Sequence, residues 1–265
     1  MRKAIRALLM PLAVCLTFLP TSGETDAEGA AGVKDEIIQK AKELIRARDT
    51  IKATELINGL DSPEEAAQLY SDLTGDFYWK ERSLPNTVTV ARAGLDYCLT
   101  KADEIQESNP DVARDLKVTA GVLSYNLASF TWPGWNEEGI VIGRDDILTG
   151  LEAARLNVRL VGELKDDDLS FSNAYWMLGA QLIAVQKYDE AIEAFNSSKK
   201  HAQKAGERLN ELLSDGYVGI TMIIAGKKEG QKVLEQAKNE LNQIGSDDAK
   251  FFIEQFHTAL DVFIK

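Results

Sequence analysis

Proline is scarce in this chain, six residues in 265, and histidine and cysteine are scarcer still, with two of each. So few prolines leave long stretches in which nothing interrupts a helix. His201 and His257 stand far apart and lack the H-E-x-x-H spacing, which excludes that zinc-hydrolase signature. Cys15 and Cys98 cannot build a disulfide framework, so stability must come from packing. No G-x-S-x-G elbow and no phosphate loop occurs. Lys165-Asp166-Asp167-Asp168 lacks the spaced ligands and the glycine of a calcium loop, and reads as a solvated turn leading into an acidic helix start. Positive charge is short as well: the net charge is −12, a surface that repels nucleic acid and anionic lipid heads alike. No catalytic residue, metal or cofactor is expected, and nucleic acid is not expected as a partner.

What is present begins with Met1-Arg2-Lys3-Ala4-Ile5-Arg6, a positive start, followed by an apolar run from Ala7 to Leu19. At about 13 residues the run falls short of the roughly 20 that span a bilayer, so residues 1–23 read as a signal peptide cut after Gly23. Cutting there removes Arg2, Lys3 and Arg6 and no acid, which takes the charge from −12 to −15. A second reading stays open. Leu12-Ala13-Val14-Cys15 is similar to a lipoprotein box, in which Cys15 would carry lipid and hold the protein at a membrane. Residues 24–32, small and polar, read as a flexible leader.

From 33 onwards apolar residues recur at spacings of three and four. Ala66, Leu69, Leu73 and Phe77 form one stripe; Val88, Ala91, Leu95, Cys98, Ala102 and Ile105 form the next. Cys98 therefore reads as a packing residue. Ser62-Pro63-Glu64-Glu65, Asn109-Pro110-Asp111 and Ser246-Asp247-Asp248 are helix starts: a capping side chain, then proline or acids in the first turn. Gly59, Gly206, Gly226 and Gly245 fall where helices should stop. Only Gly139-Ile140-Val141-Ile142-Gly143 looks extended. About ten helices with short turns make an all-α domain over 33–265.

One stretch carries more than periodicity. Tyr175-x-x-Leu178-Gly179-x-x-Leu182, then Tyr188-Asp189-Glu190-Ala191-Ile192 and Phe195, resembles the tetratricopeptide repeat. In that pattern Gly179 and Ala191 are small where two helices cross, and Phe195 fills the hairpin. Leu182, Ser198 and Gln203 stand where the family has a tyrosine, an alanine and a proline. Gly219 and Gly230 echo the pattern in the next hairpin at a longer spacing, and Gly75-x-x-Tyr78 echoes it faintly. The resemblance implies a right-handed superhelical solenoid of antiparallel hairpins. It also implies a concave groove lined by first helices, with Asn173, Trp176, Ala180 and Ile183 facing it. None of these is Lys or Arg, so the basic carboxylate clamp of some relatives is not expected. Trp176 has a second reading as core.

The segment 131–143, the longest break between helices, holds Trp132 and Trp135. It is either a contact site for a partner or a loop folded onto its neighbours. The expectation that follows is an exported, non-catalytic scaffold or adaptor, secreted or in the periplasm of a bacterial cell envelope, that binds a protein or peptide. Two alternatives are a small-ligand or transporter-associated binding module and a helical glycan-active enzyme. Helical glycan-cleaving barrels need about a dozen helices with acids at inner loop ends, whereas the acids here are spread over all faces.

Overall fold

A computed structural model describes the backbone of residues 27–264 and the side chains of 35–264. The expected signal segment and Cys15 lie outside the described residues. Eleven α-helices and one 3-10 turn account for the described chain, with no strand among the described residues. The class is all-α. The described chain divides into two compact units at Leu123/Ser124.

The first unit holds α1 (Ala27–Arg46), α2 (Thr50–Asn58), α3 (Pro63–Trp79), α4 (Leu84–Ile105) and α5 (Pro110–Phe130) as far as Leu123. Helix α1 begins inside the segment expected as leader, whose alanines are the strongest helix formers. The Ser62 hydroxyl accepts from the Glu65 amide at 3.3 Å, with Pro63 in the first turn, as the sequence predicts for the start of α3. The stripe Ala66, Leu69, Leu73 and Phe77 is buried against α4, and Gly94 lets the two helices close. A Cβ at Gly94 would lie 2.6 Å from that of Tyr70. Lys42 on α1 donates to Asp76 on α3 at 2.5 Å, and Lys80 approaches the other oxygen at 2.6 Å. Burial pushes the Asp76 carboxyl up, but the two ammoniums more than offset it and hold it below its ordinary value.

Cys98 is buried within this unit, and burial pushes its thiol up from 9.0 to about 12. The folded state therefore keeps a proton that the unfolded chain gives up above pH 9, so this stabilisation is complete below pH 9 and is lost as the pH climbs towards 12. Native protein at pH 8 should resist a thiol reagent and react fully in denaturant. Cys98→Ala should cost on the order of 1 kcal/mol and flatten the alkaline loss of stability. Fast labelling of the native state would place the thiol at the surface instead.

The second unit takes the last turns of α5 from Ser124, the 3-10 turn Pro133–Trp135, and then α6 (Arg144–Leu164), α7 (Asp168–Ala184), α8 (Tyr188–Ala205), α9 (Arg208–Ile224), α10 (Gly230–Ile244) and α11 (Asp247–Phe263). Successive helices pack side by side, α6 on α7, α7 on α8, α8 on α9 and α9 on α10, while α11 closes over α9 and α10. The two sequence-predicted crossings are tight. A Cβ at Gly179 would stand 2.7 Å from the Phe195 ring, and one at Gly219 would stand 2.6 Å from the backbone nitrogen of Leu234. Ser198, in place of an alanine, has a structural use: its hydroxyl donates to the Ser172 carbonyl at 2.7 Å and shares a hydrogen bond with Ser214, tying α8 to α7 and α9.

The helix ends follow the sequence less closely. Gly206, Gly226 and Gly245 adopt the left-handed conformation expected of them, but Gly59 does not, ending α2 with φ −81°. Arg48, Arg82, Asn136, Lys165 and Gln186 are left-handed without being glycine. The 139–143 stretch forms no strand; Gly139 turns it with φ +79° and Val141 stands exposed. Among the described residues no helix is long and apolar enough to cross a membrane.

Candidate functional site

The six residues singled out from the sequence all belong to the second unit, and all are buried. Asn173, Ala180 and Ile183 lie on α7 together with Trp176, which is only 2% exposed; Trp132 is 0% and Trp135 6% exposed. The reason is the segment 131–143. Its 3-10 turn packs against α7 and α11, so the face of α7 expected to line an open groove is covered by the chain itself. The Trp132 N–H donates to the Ala180 carbonyl at 2.9 Å, and the Trp135 N–H donates to the Ser129 carbonyl at 2.9 Å. Asn173 accepts from the Asn210 amide at 3.0 Å. The groove placement of these residues is thus corrected: Trp176 is core, and the loop is folded down.

Around Trp132 the rings form one body. Trp135 meets it edge-on at 4.9 Å, Trp176 at 5.8 Å, and Tyr217 of α9 meets Trp176 edge-on at 5.1 Å. Phe256 of α11 closes on Tyr217 at 5.6 Å. Edge-to-face pairs of this kind add about 0.5–1.5 kcal/mol each beyond burial. Several polar atoms in this region have no hydrogen-bond partner among the described residues: Trp176 Nε1, Tyr217 OH, Gln181 Oε1 and both ends of the Gln255 amide. Burial also holds the Tyr217 phenol above its ordinary range, so it stays protonated.

The surfaces open to a ligand lie elsewhere. In the first unit a cleft of about 760 Å³ runs between α2 and α4. Thr50, Thr54 and Asn58 line one side, Arg92, Asp96 and Tyr97 the other, and Tyr70 forms part of the wall. The Tyr70 hydroxyl donates to Asn58 Oδ1 at 2.8 Å, which leaves the Asn58 amide hydrogens for a ligand. Thr54 gives its proton to the Ile51 carbonyl and so offers lone pairs. Arg92 and Asp96 are one turn apart on α4, yet form no ion pair with each other. Burial pushes the Tyr97 phenol up, so it too remains a donor. The cleft can meet both donors and acceptors, and both signs of charge.

In the second unit a smaller cleft of about 460 Å³ lies at the carbonyl end of α8, lined by Tyr175, Ser197, Lys200, His201, Gln203 and Lys204. Sequence reasoning passed over both clefts. The i, i+4 pairs Arg92/Asp96 and Lys200/Lys204 are visible in the sequence, but such spacing also describes any solvated helix face. Asp167 caps α7 by accepting from the Ser170 amide at 2.8 Å, as expected of an acidic helix start. Among the described residues no group of His, Cys, Asp and Glu stands together as metal ligands. Comparison with known proteins finds no matching family model and no matching curated sequence.

Proposed function

We propose that the protein is an exported, non-catalytic scaffold of tetratricopeptide-like hairpins that binds a protein or peptide in a bacterial cell envelope. The observation that carries this reading is the repeated close crossing of consecutive hairpins. Gly179 accepts Phe195 between α7 and α8, and Gly219 accepts the Leu234 backbone between α9 and α10. Small residues at corresponding crossings, with each hairpin packed on the next, are how stacked helical repeats bury a continuous core. Such architectures bind through surface clefts between helices. The α2/α4 cleft has the chemistry of a polypeptide site, since an extended segment presents alternating N–H and C=O groups. Those groups need acceptors such as Thr54 and donors such as Asn58 and Tyr97.

A photo-crosslinking amino acid at Thr54, used in cells, tests the reading. It should capture a protein whose rebinding is weakened by about tenfold or more in Arg92→Glu or Tyr97→Ala, a loss of roughly 1.4 kcal/mol, with the melting temperature retained. A cleft of this volume also lies in the range of small-ligand sites, about 300–1,000 Å³. A thermal shift with a metabolite and no captured protein would overturn the scaffold reading in favour of a small-ligand or transporter-associated module.

A further inference from the structure

We propose that the cleft at the carbonyl end of α8 is a binding site for a compact dianionic oxyanion of the phosphate-monoester type. Charge supplies the first argument. The whole chain carries −12, so anions are repelled over most of its surface. Here Lys200, His201 and Lys204 gather on the last turns of α8. Among the described residues the one acid that pairs with this group is Asp168, at 2.6 Å from His201 and 3.7 Å from Lys204. The two ammoniums outnumber this single carboxylate, and with the imidazole beside them they offer more than one donor to each ligand, which suits a dianion with several oxygens better than a carboxylate.

Use of the neighbouring lysine supplies the second. Lys199 is committed to the fold, donating to both oxygens of Asp215 at 2.8 Å. Lys200, the next residue, makes no ion pair among the described residues and lines the cleft.

The third argument is the mounting of His201. Its ring stacks on Phe171 at 4.8 Å and on Tyr175 at 5.7 Å, both nearly parallel, and Asp168 Oδ1 holds Nδ1 at 2.6 Å. A histidine gripped through one nitrogen by a carboxylate presents the other in a fixed direction, the arrangement that orients catalytic and metal-binding imidazoles. Nε2 has no partner among the described residues. Tyr175 adds a hydroxyl and a flat ring, and the volume exceeds that of one oxyanion, leaving room for the group that carries it. This site is separate from the α2/α4 cleft, and its test does not depend on that reading.

The test follows the histidine Cε1 proton signals of the full chain by NMR during titration with inorganic phosphate, phenyl phosphate and acetate at constant ionic strength. Saturable shifts are expected for His201 and none for His257. Phenyl phosphate should bind at least as tightly as phosphate, and acetate should bind about tenfold more weakly. Lys200→Gln with Lys204→Gln, both exposed, should weaken phosphate by about tenfold or more without altering the helical circular dichroism. Asp168→Ala decides between a built site and a diffuse basic patch. Removing a negative charge must strengthen binding to a mere patch, whereas loss of the group that orients His201 should weaken it severalfold. No saturable shift with phosphate, or tighter binding by Asp168→Ala, would overturn the proposal and leave the lysines as partners of the α8 carbonyl end alone.

Discussion

Replacing Trp132 with alanine should lower the stability of the 124–265 unit by about 3–5 kcal/mol, the cost of emptying a buried aromatic site. Trp132 is fully buried, touches Trp135, Trp176, Tyr217 and Phe263, and donates a hydrogen bond to the Ala180 carbonyl. Trp176→Ala should cost a similar amount, because Trp176 is core. The phenylalanine variants separate the two. Trp132→Phe loses the hydrogen bond to Ala180, whose carbonyl keeps its helical partner, and should cost about 0.5–1.5 kcal/mol beyond the lost volume, whereas Trp176→Phe removes an indole N–H that has no partner among the described residues and should be milder. Urea unfolding followed by circular dichroism at helical wavelengths measures all four. Equal costs for the two phenylalanine variants would mean that the Trp132 hydrogen bond contributes nothing.

Gly219→Leu should be as damaging by the opposite route. At Gly179 the neighbour is the Phe195 ring, which can tilt; at Gly219 it is the backbone of Leu234, which cannot move without shifting all of α10. Overpacking against side chains costs about 1–3 kcal/mol, and a backbone neighbour places Gly219→Leu at or above the upper end. Gly162→Ala is the control. Nothing stands within 4 Å of its missing Cβ, so alanine there should stabilise α6 by about 0.5–1 kcal/mol. Thermal unfolding of the pair should move the midpoint in opposite directions. A harmless Gly219→Leu would show that α9 and α10 do not cross where the structure has them cross.

Gly179 and Gly219 were legible in the sequence, as were the stripe from Ala66 to Phe77, the buried Cys98 and the caps at Ser62, Asn109 and Ser246. Each rests on local spacing or on the chemistry of one turn. The side of α7 that meets the rest of the protein was not legible. Buried residues ring this helix, from Ser172, Asn173 and Ala174 through Trp176 and Met177 to Gly179, Ala180 and Gln181, so no polar stripe marks a solvent face and periodicity cannot choose one. The covering of Trp176 depends on a turn some forty residues earlier in the chain and on Tyr217, some forty residues later. The clefts were hidden for a similar reason: Thr50 and Arg92 become neighbours only when α2 lies beside α4, and Asp168 reaches His201 across 33 residues.

The left-handed Arg48, Arg82, Asn136, Lys165 and Gln186 have a meaning beyond their own turns. A side chain in that conformation forgoes about 1 kcal/mol that glycine would not. Each is therefore a place where glycine would relieve strain, so that unused stability in this fold resides at its helix ends and not in its core.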